Sequence, residues 1–172
     1  MHGAHHRLVQ TEKLAPNVPL PAYPAGHHLR GRRAKFGDIG AGGVTKLANQ
    51  IIVAANIAGL SEALVLAQKA GVDPERVFNA IRGGLAGSAV MEAKGPMMLD
   101  RNFRAGFRIR LHQKDLNNAL AAGKDLGVSL PFTGLIQQIL GALVTDGKGD
   151  QDHSGIVQFI ESMAKVEVKK AN

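Results

Sequence analysis

The feature that most constrains the fold is a long stretch without charge that begins at a single lysine. No ionisable side chain stands between Lys46 and Glu62, and the residues between them are apolar on nearly every face of a helix. A helix of that composition is normally buried rather than half-solvated. The sequence therefore predicts a central core helix with a lysine at its head.

The remaining pattern from residue 37 onward predicts shorter helices around this one. Glycine stops, an Asp73-Pro74 start and further Pro and Ser start signals separate the apolar runs. No run alternates between apolar and polar residues as a half-buried strand does. The predicted helices span 44–70, 74 to the glycines at 83 and 84, 88–94, 111–126, 131–146 and 154–165. The expected fold class is all-α, with one long central helix and about five shorter ones.

Residues 1–36 differ from the rest and predict a disordered or irregular extension. They contain four of the seven prolines, which disfavour helix, and they show no periodic apolar pattern. We therefore divide the chain into this extension and a helical domain over residues 37–172. The five histidines of the extension could bind metal by composition, but no fixed geometry is implied. A solvated tail is the favoured interpretation, and we predict no metal site.

The formal charge of +7 is concentrated in the extension, which carries six basic side chains against one acidic residue. A nucleic-acid binder through this extension is the least favoured alternative, because the extension has no interleaving of aromatic with basic residues and no recognition motif, so we expect no nucleic-acid partner. The apolar stretch is short for a membrane span and contains Asn49, Gln50 and Asn56, so we expect no membrane insertion. No apolar run follows the basic N-terminal residues, and the chain has no cysteine. We predict a cytoplasmic location.

Lys46 is the first candidate for chemistry, together with two amides one helical turn later. Asn49 and Gln50 stand three and four residues after Lys46, so all three share a helix face. An ammonium can donate a proton to a substrate oxygen, and an amide can orient that substrate without adding charge. Partial burial would lower the pKa of the lysine towards neutrality. Spacing alone favours the other interpretation, in which Lys46 reaches solvent along its own stem.

A second candidate group is Phe107, Lys114 and Asp115, near the start of the fourth predicted helix. Phe107 could wall a pocket, and the charged pair could fix a cofactor group; a surface ion pair and a core phenylalanine are the alternatives. The glycine-rich stretch 83–88 allows a close backbone approach, or is a plain interhelical loop. His112 and His153 are treated as isolated residues without metal partners.

Four segments in a fixed order resemble the β-hydroxyacid dehydrogenase family over roughly residues 37–168. They read GDIGAGGVTKLANQ, IRGGLAGSAV, DRNFRAGFRIRLHQKDLNNAL and KGDQDHSGIVQFIE. The second and third are more similar to the family's reductase branch than to its 3-hydroxyisobutyrate dehydrogenase branch. The resemblance implies the all-α C-terminal domain of an NAD(P)-dependent oxidoreductase that acts on 3-oxo or 3-hydroxy acids, commonly as a homo-oligomer.

The resemblance also assigns residues. It makes Lys46 the catalytic proton donor, places the substrate amide at Asn49 or Gln50 with Asn49 preferred, and puts Lys114, Asp115 and Phe107 beside the cofactor. The family's Rossmann domain and its glycine fingerprint are absent from the sequence; the glycine-rich stretch 37–43 follows no predicted strand. We therefore expect NAD(P) binding only together with such a domain, and no activity from the chain alone. A helical interaction module is the alternative from another class.

Overall fold

The computed structural model of the chain describes residues 41–170. Within that range the backbone forms six α-helices and one short 3₁₀ turn, with no β-strand. The helices are α1 (Ala41–Lys69), α2 (Pro74–Ile81), α3 (Ala89–Leu99), α4 (Ile109–Asp125), α5 (Pro131–Thr145) and α6 (Val157–Ala164), and the 3₁₀ turn is His153–Ile156. The predicted all-α fold with one long helix and five shorter ones is confirmed. The predictions for residues 1–36 lie outside the described residues, and the boundary at residue 37 stays a prediction.

Helix α1 is the centre of the domain and contacts each of the other five α-helices. Its buried stripe follows helical spacing through Ala54, Ile57, Leu60 and Leu64. By length and composition α1 could cross a membrane, with 44% of its most apolar window buried inside the domain. Its packing against the five other α-helices is that of a core helix. The cytoplasmic location stays a prediction.

The second and third helices begin where the sequence predicts, but α3 ends later. The Asp73 carboxylate accepts a hydrogen bond from the amide of Glu75 at 2.9 Å, and Pro74 opens α2. The predicted end of α3 at residue 94 is wrong, because the helix continues through Gly95 and Pro96 to Leu99. A proline inside a helix removes one hydrogen bond, and packing of this segment against α1 and α2 outweighs that loss.

The last predicted helix begins differently from the expectation. The sequence predicts Ser154 as its capping residue, but the carboxylate of Asp152 accepts a hydrogen bond from the Ser154 amide at 3.0 Å. A 3₁₀ turn over His153–Ile156 then leads into α6. The sequence correctly locates a helix here, but the predicted capping residue is wrong, since the acidic side chain two positions earlier performs that role.

Candidate active site

Lys46, Gln50 and Asp115 meet where the first turns of α1 pack against α4. Gln50 Nε2 donates to Asp115 Oδ2 at 2.7 Å, and both residues are buried. The ammonium of Lys46 lies 4.0 Å from Asp115 Oδ1, with 40% of the lysine side chain exposed. One carboxylate therefore holds an amide with one oxygen and faces a half-exposed ammonium with the other. The charges at 115 and 114 are not the surface pair considered from the sequence, because Asp115 is buried.

The two candidate amides have different surroundings. Asn49 is exposed, and its Nδ2 donates to Gln50 Oε1 at 3.2 Å. Gln50 is therefore engaged at both ends of its amide, by Asn49 and by Asp115. The side chain of Asn49 is exposed to solvent, whereas the side chain of Gln50 is buried and held by these two hydrogen bonds. Which of the two amides binds substrate stays a prediction.

Phe107 lies in the loop before α4 and reaches the site through a histidine. Its ring makes edge contacts with His112 at 5.6 Å and with His153 at 5.4 Å between ring centroids. Phe107 is half-buried, so it belongs partly to the core and partly to the surface. Lys114 is exposed on α4, next to Asp115 in the chain. The structure thus brings Lys46, Asn49, Gln50 and Asp115 together in one cluster. Phe107 contacts His112 rather than these four residues, and Lys114 lies at the exposed edge of the cluster.

His112 and His153 are not isolated, and the sequence-based expectation is wrong on this point. Their Nδ1 atoms lie 2.9 Å apart, and His112 Nε2 lies 3.1 Å from the backbone carbonyl of Gln50. Burial lowers the pKa of His112. Burial, followed by the nearby charges of His112 and Lys94, lowers the pKa of His153 to about 3. Both rings are therefore neutral at neutral pH. The one available signal was that His112 precedes Asp115 by three residues on the same face of α4.

Asp152 is a structural carboxylate that the sequence analysis missed. It accepts from Lys94 Nζ with both oxygens at 3.0 Å, and from the amides of Gly106 and Phe107 at 2.9 and 3.0 Å. Burial alone would raise the pKa of Asp152, but the amides of Phe107 and Ser154 and the Lys94 ammonium lower it to about 2. The side chain therefore fixes the loop that carries Phe107.

Two other sequence features have simple structural outcomes. A Cβ on Gly87 would lie 2.1 Å from the carbonyl oxygen of Arg82, so the tight turn itself requires a glycine there. This supports the plain interhelical loop for residues 83–88.

Among residues 41–170, no group of three or more His, Asp or Glu side chains is arranged to hold a metal ion. The histidines of residues 1–36 lie outside the described residues.

Comparison with known proteins identifies the family. A sequence model described as the NAD-binding domain of NADP-dependent 3-hydroxyisobutyrate dehydrogenase matches residues 40–160. The 2-hydroxy-3-oxopropionate reductase of Escherichia coli (strain K12) is 48% identical over 128 residues, which cover 74% of this chain and 44% of that protein. A probable mitochondrial 3-hydroxyisobutyrate dehydrogenase-like protein of Arabidopsis thaliana is 35% identical over 144 residues, or 84% of this chain and 43% of that protein.

A solved structure supports the same assignment. The 3-hydroxyisobutyrate dehydrogenase of Mycobacterium tuberculosis, solved with L-serine, superposes with a TM-score of 0.68 at 26% identity, over 73% of this chain and 45% of that one. The chain thus spans less than half the length of each of these relatives. The family comprises NAD(P)-dependent oxidoreductases that act on hydroxy acids. This chain belongs to the β-hydroxyacid dehydrogenase family, and its described residues form the helical C-terminal domain of that family.

Proposed function

We propose that this chain supplies the proton-donating half of an NAD(P)-dependent reductase that converts 2-hydroxy-3-oxopropionate (tartronate semialdehyde) to D-glycerate. The observation that carries the proposal is the half-exposed Lys46 ammonium, 4.0 Å from buried Asp115, which also holds Gln50. The 48% identity to the E. coli 2-hydroxy-3-oxopropionate reductase supports this substrate. A 3-hydroxyisobutyrate-type substrate is the alternative within the family.

The proposed step is the reduction of an aldehyde to a primary alcohol. The carbonyl carbon gains a hydride and the carbonyl oxygen gains a proton, so the site needs a proton donor near that oxygen. In this proposal the Lys46 ammonium donates the proton and is left as the neutral amine, which takes up a proton from solvent before the next turnover. Asp115 stabilises the ammonium electrostatically and limits the directions in which it points.

The amides beside Lys46 suit the polar groups of a small hydroxy acid. Asn49 is exposed and offers both a donor and an acceptor, while Gln50 is held from both sides. We propose that Asn49 hydrogen-bonds the hydroxyl or carboxylate of the substrate and thereby places its carbonyl near Lys46, with Gln50 as the second candidate for this role. Neutral amides achieve this without competing for the proton.

Three side chains of α4 and of the loop before it have the chemistry to bind a dinucleotide. Lys114 is exposed and cationic, Asp115 offers a carboxylate, and Phe107 offers a half-buried aromatic edge. A cation suits a phosphate, a carboxylate accepts hydrogen bonds from a ribose hydroxyl or an amide, and an aromatic ring can pack against a nicotinamide ring. When bound, the dinucleotide supplies the hydride. In the proposal Lys114, Asp115 and Phe107 orient it against the substrate side of α1.

The test is a chimera in which residues 41–170 replace the matching part of the E. coli reductase. The chimera should reduce 2-hydroxy-3-oxopropionate with NADH or NADPH, whereas the 172-residue chain alone should not. Lys46→Met should lower kcat by about 10²- to 10⁴-fold, the usual contribution of a general acid. Lys124→Met, at an exposed lysine of α4, is the matched control and should leave kcat unchanged. Turnover that survives Lys46→Met would remove the proposed role of this lysine.

We also propose self-association of this domain, as expected from the sequence. Large apolar side chains are exposed on two helices: Phe132 is 78% and Leu135 61% exposed on α5, and Ile52 is 61% exposed on α1. Exposed apolar patches commonly mark interaction surfaces. Light scattering should show a dimer or larger species that Phe132→Ser weakens. A monodisperse monomer at all concentrations would exclude this proposal.

A further inference from the structure

A buried row of polar groups connects α1, α4 and the 3₁₀ turn, and part of it has no role in the chemistry described above. From α1 outward, the row consists of the Gln50 carbonyl, the His112 ring, the His153 ring and the Asp152 carboxylate. His112 is fully buried and His153 is 4% exposed. Two contacts are within hydrogen-bond distance, at 3.1 Å from Gln50 O to His112 Nε2 and 2.9 Å between the two Nδ1 atoms. His153 Nε2 lies 4.0 Å from Asp152 Oδ1 and makes no hydrogen bond to any of the described residues.

The proton positions in this row follow from its geometry. A carbonyl oxygen only accepts hydrogen bonds, so His112 Nε2 carries a proton and donates it to Gln50. Two nitrogens 2.9 Å apart require one proton between them, because two lone pairs or two N–H groups would repel. A neutral His112 has its lone pair on Nδ1, so the proton between the rings belongs to His153 Nδ1. The opposite assignment would place a lone pair of His112 against the lone pairs of the Gln50 carbonyl.

Burial, rather than the charges that face the two rings, favours the neutral pair. The charged groups are Lys94 from α3, which lowers the pKa of both histidines, and Asp152 at the 3₁₀ turn, which raises it; Asp115 on α4 also raises the pKa of His112. Lys94 and Asp152 neutralise each other at 3.0 Å. Burial lowers the pKa of both histidines. A proton added to either ring at neutral pH would be a further charge in the interior, so each ring keeps a single proton and a definite tautomer.

The row acts on one residue of the candidate active site. His112 and Asp115 are three residues apart on α4 and therefore share a face. His112 holds the backbone carbonyl of Gln50, and Asp115 holds its side-chain amide. Two side chains of α4 thus hydrogen-bond Gln50, one at its backbone carbonyl and one at its side-chain amide. Lys46 lies one turn before Gln50 on the same face of α1.

We propose that His112 and His153 are positioning residues of the candidate active site. His153 fixes the Nε2–H tautomer of His112, and His112 together with Asp115 sets the register between α4 and the turn of α1 that carries Lys46. The expected effect on catalysis rests on the proposed function of Lys46. The tautomers and the hydrogen bonds to Gln50 are properties of the domain and do not depend on it.

Ring-¹⁵N NMR of the intact chain tests the tautomers directly, with His112→Gln and His153→Asn used to assign the signals. At pH 7 we expect His112 as the Nε2–H tautomer and His153 as the Nδ1–H tautomer. His153→Leu removes the donor, so His112 should lose its single tautomer and the side-chain NH₂ signals of Gln50 should shift. His153→Asn keeps a donor near the Nδ1 position and should restore both. Gln138→Leu, at an exposed amide of α5, is the control and should change neither.

Two results would overturn the inference: an Nδ1–H tautomer of His112 in the wild-type chain, or a His153→Leu variant with the wild-type His112 and Gln50 signals. If His153→Leu does not fold, the wild-type tautomers and the His153→Asn spectrum still decide. In the chimera, His153→Leu should lower kcat about 10- to 100-fold, as expected for a misplaced proton donor, with KM nearly unchanged and with recovery in His153→Asn. If Lys46→Met leaves kcat of the chimera unchanged, the proposed function is refuted, but the NMR result on the histidine tautomers still stands.

Discussion

Two glycine-to-alanine substitutions should change stability in opposite directions, because Gly95 and Gly59 have different surroundings. Both lie inside helices, where alanine is favoured over glycine by about 1 kcal/mol. A Cβ on Gly95 would lie 2.3, 2.8 and 3.0 Å from three ring atoms of Phe78. A Cβ on Gly59 would meet nothing within 4 Å. The two substitutions therefore gain the same helix propensity, but only Gly95→Ala creates a steric clash.

The size of the effect follows from that contact. Carbon atoms in ordinary contact are about 3.5–4.0 Å apart, so the Phe78 ring would have to withdraw by more than about 1 Å. Phe78 is buried between α2, α3 and the core, and overpacking there costs about 1–3 kcal/mol, in this case at the upper end. After the gain in helix propensity, Gly95→Ala should destabilise the domain by about 2 kcal/mol. Gly59→Ala should stabilise it by about 0.5–1 kcal/mol.

Urea denaturation followed by far-UV circular dichroism measures both changes, and a thermal scan should show Gly95→Ala melting about 4–8 °C lower. Phe78→Leu provides the internal check, because a smaller side chain relieves the clash and Gly95→Ala should cost less in that background. Equal changes for the two glycines, or a Gly95→Ala variant as stable as the wild type, would refute the steric reasoning.

Three further predictions concern buried charge, acid stability and the C-terminal segment. Asp152→Asn should cost about 3–5 kcal/mol in urea denaturation, because it leaves the Lys94 ammonium without its buried partner; a cost below about 1 kcal/mol would contradict this. His153 titrates at about 3 when folded but near about 6.5 when unfolded, so the unfolding free energy should fall as pH drops below about 6.5, by about 2 kcal/mol at pH 5. Asp152 adds a further loss between about pH 4 and 2, and a urea midpoint independent of pH would exclude both terms. Val168→Ala should cost about 1–2 kcal/mol in the same assay since Val168 is fully buried, whereas Lys170→Ala, at a solvent-exposed ion pair, should cost clearly less than Val168→Ala.

Most helix positions could be predicted because their signals are local. The uncharged run after Lys46, the Asp73-Pro74 start and the proline at 131 each act within a few residues, and the observed helices begin within three residues of the expectation. The end of α3 could not be predicted, since a Gly95-Pro96 pair normally stops a helix. Only the packing of α3 against distant elements explains why it continues.

The candidate site was partly predictable for the same reason. The spacing of Lys46 and Gln50 along one helix places them on a common face, and the family resemblance adds Asp115. The bond from Gln50 to Asp115 joins residues 65 positions apart, and the histidine contact joins residues 41 positions apart. Such distances are fixed by the packing of α1 on α4 and of the 3₁₀ turn on both. A single sequence carries no local signal for them.

The central position of α1 has a consequence for the way the domain opens. Every other α-helix of the described residues packs against α1. Any single peripheral helix can detach and leave α1 still covered by the others, whereas exposing the middle of α1 requires all of them to leave. The amides around Ile57 and Leu64 should therefore exchange with solvent deuterium only through complete unfolding, at the free energy measured by denaturation. The turn of α1 that carries Lys46 is thus continuous with the segment that we expect to exchange most slowly among the described residues.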